Sequence, residues 1–441
     1  MTSRPGSGAV WTEDQAECQL RSLELFGMRF GLDRMRRMMT ALGSPQAGFD
    51  AIQVLGTNGK TSTTHMISGI LGRHGLRTGA YTSPHLVSYR ERVRIAGREL
   101  APAAFVAAVA RASRAAEQVN RTLSEDDHVT QFELLTAAAL WEMARCEVEV
   151  AVVEAGLGGR YDATSVIAAP LSVLTNVGLE HTRWLGPTIT DIAEEKLAAL
   201  APGGTLVVGS DLASDALAVA RRVASERDAR LVWADAAAGD LALEPDGALA
   251  ARGGFQRTNF ALAAAAARTH LLGLGVELDP RAVADAAAST TIAGRLEVVA
   301  MAPLTVFDAA HNPHAVRALV ESLGEVVSGR DTALVMGVLD DKDAAQMLEL
   351  LLPLCQRAWF TAPASPRALP PATLQSLARQ LGYEQTACEP RPDRALRAAR
   401  EWAAEVPGEG ERELERAVLV TGSVYLIGAL LRGREPVEAS R

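Results

Sequence analysis

Residues 51–71 constrain the fold more than any other stretch of the 441. AIQVL at 51–55 is a short apolar run, GTNG follows, and Thr61–Leu71 has the pattern of a helix. A strand that passes through a glycine-rich turn into a helix presents backbone N–H groups to an anion, and the helix dipole favours the negative charge. Gly56 and Gly59 allow a phosphate to approach the backbone closely. Lys60 is placed to reach the β- and γ-phosphates, and the hydroxyl of Thr61 or Ser62 offers a ligand to Mg²⁺. The general pattern G-x-x-x-x-G-K-[ST] needs glycine at 54, where Val54 stands, but the shorter form GTNGKT is intact. The competing reading is a plain strand–helix turn with a solvated lysine.

The rest of the chain repeats the alternation. Short apolar or β-branched runs at 78–81, 148–153, 172–175, 205–208 and 231–234 are separated by helix-patterned stretches at 103–119, 131–144, 189–200 and 212–225. Alternation of this kind builds a parallel sheet with crossover helices, whose ligands sit at the carboxyl ends of the strands. The pattern restarts near 290–299, with strands expected at 304–307, 334–338, 358–361 and 418–421. Helices are expected between them at 313–323, 344–352, 371–381, 393–404 and 424–431. The fold class expected is therefore α/β with two domains, 1–297 and 298–441, and PGEGERE at 407–413 is expected to be a solvated loop.

Composition excludes several classes. A net charge of −9 argues against a general nucleic-acid binder. No window approaches the roughly 18 apolar residues of a membrane span, and the N-terminal residues contain no signal-like apolar run. The four cysteines are widely spaced, with no CxxC pair, so neither a disulfide framework nor a zinc site is expected. These features fit a cytoplasmic protein without nucleic-acid or membrane partners.

Ten short motifs fall in one order: GTNGKTS (56–62), TSPHL (82–86), RERVRI (90–95), EAGLGGRYDAT (154–164), TNVGLEHTRWLG (175–186), EEK (194–196), AGRLEV (293–298), DAAHNP (308–313), DDKD (340–343) and TGSVYL (421–426). Together they resemble folylpolyglutamate synthase and the bifunctional dihydrofolate synthase/folylpolyglutamate synthase, within the ATP-dependent Mur ligase superfamily. The resemblance runs from about Gly31 to Leu430. It implies a P-loop ATPase domain of Mur ligase type with a parallel-rich sheet, followed by a smaller Rossmann-like α/β domain. Departures from the family pattern include Thr61 in the phosphate loop, Ala155, Tyr161 and Ser165 in the glycine-rich loop, Glu180 before His181, Ala293 and Ala309.

The reaction that the resemblance implies is ligation of L-glutamate to the carboxylate of dihydropteroate or of a folate. ATP would phosphorylate that carboxylate, and the glutamate amine would displace phosphate from the acyl phosphate. Bringing a carboxylate to a γ-phosphate opposes two anions, worth about 4 kcal/mol at 4 Å and an effective dielectric of 20. Cations must offset that repulsion, a role for Mg²⁺ and Lys60. By resemblance one Mg²⁺ takes Ser62, Ser83, Glu154 and the phosphates, and a second takes His181 and Glu154. From the sequence alone, Glu154 ends the apolar run VEVAVV, where a carboxylate is costly to bury without a cation.

Thr57, Asn58, Gly59, Lys60, Thr61 and Ser62 are expected around the ATP phosphates. The resemblance adds Asn259, Arg295, Asp308 and His311 as nucleotide contacts. It places the pterin or folate near Gly31, Arg34, Thr130, Phe132, Glu133, Tyr161 and Asp162, and the incoming glutamate near Lys342. The alternatives for Phe132 and Glu133 are helix core and surface charge. A monomer is expected.

Only three lysines, Lys60, Lys196 and Lys342, occur among 44 lysines and arginines. By resemblance the amine of Lys196 carries CO₂ as a carbamate. A neutral amine can add CO₂, whereas a guanidinium stays protonated. Lys60, Glu154, His181 and Lys196 form the expected catalytic set. The competing readings are a ligase for another carboxylate, such as a muropeptide, and a P-loop ATPase that ligates nothing. Only about 50 residues precede the phosphate loop, which argues against an N-terminal UDP-sugar domain.

Overall fold

The computed structural model describes residues 11–23, 29–234, 249–405 and 415–433, so the loop expected at 407–413 lies outside the described residues. The chain forms two compact units. Of the described residues, those within 1–84, 88–248 and 259–288 form the first, and those within 85–87, 249–258 and 289–441 the second. The long stretch of the second unit opens at Ser289; the sequence reading places the division at 297.

In chain order the first unit contains α1 (Glu13–Ser22), α2 (Asp33–Leu42), β1 (Asp50–Leu55), α3 (Lys60–Arg73), β2 (Thr78–Tyr81), β3 (Val93–Ile95) and β4 (Arg98–Glu99). There follow α4 (Pro102–Asn120), α5 (Gln131–Arg145), β5 (Val150–Glu154), β6 (Leu171–Leu174), α6 (Thr182–Leu185), α7 (Ile189–Leu197), β7 (Thr205–Val208), α8 (Ser214–Glu226) and β8 (Arg230–Trp233). The strands form one sheet in the order β4-β3-β2-β5-β1-β6-β7-β8. It is parallel from β2 to β8, and the β3–β4 edge is antiparallel.

Both faces of this sheet are covered. Met35, Met38, Leu135 and Met143 pack with Tyr81 and Val153 on one side; Ile192, Leu197 and Val219 pack with Leu174 and Val208 on the other. That is why β5 and β6 are buried at every position, and why β5 reads as a continuous apolar run up to Glu154 instead of an alternating one. Each such side chain contributes about 1.5–3 kcal/mol when fully buried.

The order also locates a crevice. The chain leaves β1 for β2 on one side, and later leaves β5 for β6 on the other, with β1 between them. Such a reversal opens a gap at the carboxyl ends of the strands. Here those ends are Leu55, Glu154 and Leu174.

The second unit carries a six-stranded sheet: β9 (Glu297–Met301), β10 (Leu304–Phe307), β11 (Asp331–Met336), β12 (Arg357–Phe360), β13 (Thr386–Cys388) and β14 (Arg416–Thr421). The order is β13-β12-β11-β14-β10-β9, parallel except for β9 against β10. The helices Pro313–Val327, Ala344–Leu351 and Pro371–Gln380 cover one face, and Pro392–Ala404 with Val424–Arg432 the other. No described helix is long and apolar enough to cross a membrane.

Candidate active site

The phosphate loop is the turn from β1 into α3. Its shape is set from β6, through the segment that follows it. Thr57 N donates to Asn176 O at 2.9 Å, Asn58 N donates to Asn176 Oδ1 at 2.9 Å, and Thr175 Oγ1 donates to Asn58 O at 2.6 Å. Gly56 has φ 145°, and a Cβ there would run into Thr175 Oγ1. Close approach and backbone conformation thus both require glycine at 56. Gly59, at φ 81°, stands immediately before α3, with the side chain of Asn259 against its α-carbon. Lys60 Nζ donates to Thr57 O at 3.0 Å, so its ammonium curls over the loop that its own backbone begins.

Glu154 ends β5 beside this loop, because β5 pairs with β1 in the register Val54 with Glu154. It is 2 % exposed. Its Oε2 accepts from Thr61 Oγ1 at 2.8 Å and from Ser83 N at 3.1 Å. The carboxylate therefore gathers the first turn of α3 and the segment after β2 around one oxygen. Ser62 is buried next to Thr61.

The last turn of α7 completes the cluster. Thr188 and Asp191 form a reciprocal cap that fixes where α7 starts, and hence where its last turn falls. Lys196 lies in that last turn, 4 % exposed, and its Nζ donates to Gly56 O at 2.7 Å. Burial holds its pKa at about 7, well below the usual lysine value, and the charge of Lys60 adds to the depression. Glu180 and Asp162 act in the opposite sense.

Facing α7 is the loop that follows β5. Asp162, buried, accepts from Leu157 N at 2.8 Å, Thr164 N at 3.0 Å and Thr164 Oγ1 at 2.5 Å. Burial raises the carboxyl above its ordinary pKa, against these donors. Gly159 sits where a Cβ would strike Lys196 O, and Arg160 N donates to Glu195 O at 3.1 Å. Tyr161, on the same loop, is exposed and meets Phe30 edge-on with ring centroids 6.1 Å apart; Phe30 also meets Trp184 at 5.6 Å. Phe132 packs against Gly156 and lies 6.2 Å from Tyr81. Phe30, Tyr161 and Trp184, all exposed, form an aromatic cluster next to the loop, and the Phe132–Tyr81 pair lies at Gly156. His181 takes a left-handed conformation, φ 53°, at the start of the short helix α6.

Arg34, Thr130 and Glu133 make a separate group. Arg34 Nε reaches both oxygens of Glu133, at 3.0 and 3.1 Å, and Nη1 reaches Asp127 Oδ1 at 2.9 Å. Its Nη2 holds the carbonyl of Arg29 at 2.9 Å, two residues before Gly31. Glu133 and Thr130 form the reciprocal cap of α5. All three polar groups are thus engaged in the frame around the segment that carries Phe30 and Gly31.

In the second unit Asp308 follows β10 and is 3 % exposed. It accepts from Leu296 N and Ala310 N, each at 2.8 Å. Burial raises its pKa, while Arg295 opposes the rise. Arg295 Nη1 donates to Gly294 O at 3.3 Å, and His311 Nδ1 lies 2.9 Å from Ala309 O. The Lys342 ammonium lies 3.5 Å from Asp341 Oδ2.

The sequence reading did not single out Thr175 and Asn176, which mould the phosphate loop, or Gln53, inside β1. The first pair lies within a quoted motif, so its polar side chains after a buried strand were a usable signal. Gln53 carried only a weak one, a lone amide in an apolar run.

Among the described residues no cluster of three or more His, Cys, Asp or Glu side chains is placed to hold a metal. What the loop offers is one buried carboxylate with hydroxyls and a phosphate cradle. That donor set fits Mg²⁺, which takes one or two carboxylates, phosphates and waters, better than it fits zinc.

A parallel sheet that delivers a phosphate loop, a buried carboxylate and a buried lysine to one crevice defines a P-loop ligase of the Mur type. Residues 54–233 match the Mur ligase middle domain, and 294–424 match the Mur ligase glutamate ligase domain. The chain is 33% identical, over 98% of its own length and 98% of the relative's, to the dihydrofolate synthase/folylpolyglutamate synthase of Mycobacterium tuberculosis. Among solved structures it is similar to E. coli FolC in complex with DHPP and ADP (28% identity, TM-score 0.78, covering 97% and 98% of the two chains). It is also similar to a bifunctional folylpolyglutamate synthase/dihydrofolate synthase with Mn, AMPPNP and L-glutamate bound (28% identity, TM-score 0.79, covering 96% and 99%). The chain belongs to the folylpolyglutamate synthase/dihydrofolate synthase family of ATP-dependent glutamate ligases.

Proposed function

We propose that this chain joins L-glutamate to dihydropteroate, to the γ-carboxylate of a folate, or to both, with an acyl phosphate as intermediate and ADP and phosphate as products. The observation that carries this reading is the convergence of Lys60, Glu154 and Lys196 on the phosphate loop: Lys60 on Thr57 O, Glu154 on Thr61, Lys196 on Gly56 O. A switch or plain ATPase has no evident need for a buried amine of pKa about 7 at that loop.

The roles follow from the chemistry. The loop N–H groups of residues 57–62 and the Lys60 ammonium hold the triphosphate and offset the repulsion as the carboxylate approaches the γ-phosphate. Mg²⁺ would be held by Glu154 with the Ser62 and Ser83 hydroxyls, and a second ion by His181 and Glu154; bound there, they neutralise phosphoryl charge. Lys196 carries CO₂ as a carbamate: its neutral amine beside Gly56 adds CO₂, gives up a proton and becomes an anion with two oxygens. The cluster of Phe30, Tyr161 and Trp184, together with Phe132 at Gly156, receives the flat ring of the pteroate or folate. Arg34, Thr130 and Glu133 act on it by holding the segment that bears Phe30. Asn259, Arg295, Asp308 and His311 serve the nucleotide, and Lys342 the incoming glutamate.

The test is phosphate release measured with each carboxylate, dihydropteroate or tetrahydrofolate, in the presence and absence of glutamate. Release that needs both substrates, with labelled glutamate found in the product, is the expected result. Release that needs neither would make the chain an ATPase.

A further inference from the structure

Gln53 lies in the middle of β1, 2 % exposed, three residues before Gly56. A side-chain amide nitrogen carries two N–H donors. Gln53 Nε2 uses them on two hydroxyls of one loop, Thr164 Oγ1 at 3.0 Å and Ser165 Oγ at 3.2 Å. Each hydroxyl passes its own proton onward. Thr164 Oγ1 donates to Asp162 Oδ1 at 2.5 Å, and Ser165 Oγ donates to Gly159 O at 2.6 Å. Because each hydroxyl accepts from Gln53, it is left to donate in one direction only, and the network has a single proton arrangement.

The two branches end on different parts of the site. One ends on Asp162, which closes the loop around Leu157 and Thr164 and stands next to Tyr161. The other ends on Gly159, whose α-carbon rests against the carbonyl of Lys196. Thr57 and Asn58 of the phosphate loop are braced from β6, by Thr175 and Asn176, and Lys196 meets that loop only at Gly56 O.

We infer that Gln53 is a positioning residue: from inside the central strand it sets the loop 156–165, and through it the Tyr161 ring and the backbone of Lys196, for the carboxylate substrate and not for ATP. The part concerning substrate rests on the reading above of Tyr161 as a pteroate or folate contact.

Gln53→Leu keeps the bulk and removes both donors, and Ser165→Ala removes only the branch to Gly159. Two readouts apply, steady-state kinetics with dihydropteroate or tetrahydrofolate, and amide hydrogen exchange of the substrate-free protein. Gln53→Leu is expected to raise KM for the carboxylate about tenfold, the size of one buried hydrogen-bond pair, and to leave KM for ATP nearly unchanged. Amides of 157–165 should exchange faster while those of 57–62 do not. Ser165→Ala should shift both readouts in the same sense, less strongly, and it carries the test if Gln53→Leu does not fold. Unchanged exchange at 157–165 in a folded variant, or equal rises in both KM values, would overturn the inference. A wild-type protein that ligates neither carboxylate, with the exchange result intact, would overturn the substrate reading and leave the positioning role standing.

Discussion

Lys196 Nζ donates to Gly56 O at 2.7 Å, joining the last turn of α7 to the first residue of the phosphate loop. Two consequences follow, one for stability and one for activity. The folded amine titrates at about 7, below the lysine value of 10.5, chiefly because it is buried. Between those values the unfolded chain binds the extra proton, so the stability contribution of this group rises with pH and falls as pH drops toward 7. Lys196→Met should therefore flatten the pH dependence. In CO₂-depleted buffer, where the amine is unmodified, the wild-type protein gains stability relative to the variant between pH 7 and 10, read from urea midpoints across that range. An unchanged difference between the two proteins across that window would contradict the depressed amine.

For activity, only the neutral amine adds CO₂, and that form becomes dominant just above pH 7. Activity of protein kept in CO₂-depleted buffer should be low and recover on adding bicarbonate, with greater recovery at pH 8 than at pH 6.5. Lys196→Ala should lose ligation and regain part of it with a short carboxylic acid that supplies the missing oxygens. Full activity of Lys196→Ala without any additive would remove the carbamate from the mechanism.

Glu154 bears on ligation in a different way. Its Oε2 accepts from Thr61 Oγ1 and Ser83 N, bonds that a neutral amide oxygen can also accept. Glu154→Gln should therefore fold with a melting temperature near that of the wild type. It should lose about 100-fold or more in kcat, and require more Mg²⁺, because the charge on the metal side is gone. The measurement is kcat against Mg²⁺ concentration alongside a thermal melt. A lowered melting temperature with kcat and its Mg²⁺ dependence unchanged would assign Glu154 a structural role only.

The sheet-forming runs and the phosphate loop were legible because apolar patterning and glycine spacing act locally. AIQVL followed by GTNGKT specifies a strand, a turn and a helix start without reference to any other segment. The edge strands β4, β9 and β13, and β3 beside β4, were not read, since two to five residues, some of them exposed and charged, leave no period to detect. The opening helices α1 and α2 were also not read. The site was legible as a set of motifs, but not as contacts. Nothing local tells Arg34 that Glu133, 99 residues away, will take its charge, or tells Ser165 that Gln53 will reach it from 112 residues away. Pairings at that separation are decided by which strand ends next to which, and single-sequence patterning does not carry that order.

The Arg34–Glu133 pair provides the final prediction. Both side chains are nearly buried, at 7 % and 6 % exposure, and Asp127 and the Arg29 carbonyl complete the guanidinium's partners. Removing one partner of such a pair strands the other charge, which costs about 3–5 kcal/mol, whereas replacing both by apolar groups of similar volume costs far less. Arg34→Met alone should therefore lower stability strongly. Arg34→Met combined with Glu133→Met should recover part of that loss, held back by the missing α5 cap, which is worth about 1 kcal/mol. Urea unfolding of the wild type, both single variants and the double variant gives the coupling directly. If Arg34 acted only as a substrate contact, Arg34→Met would unfold at the same urea concentration as the wild type, and KM for the carboxylate would carry the whole effect. If Arg34 holds the segment bearing Phe30, stability and KM should change together.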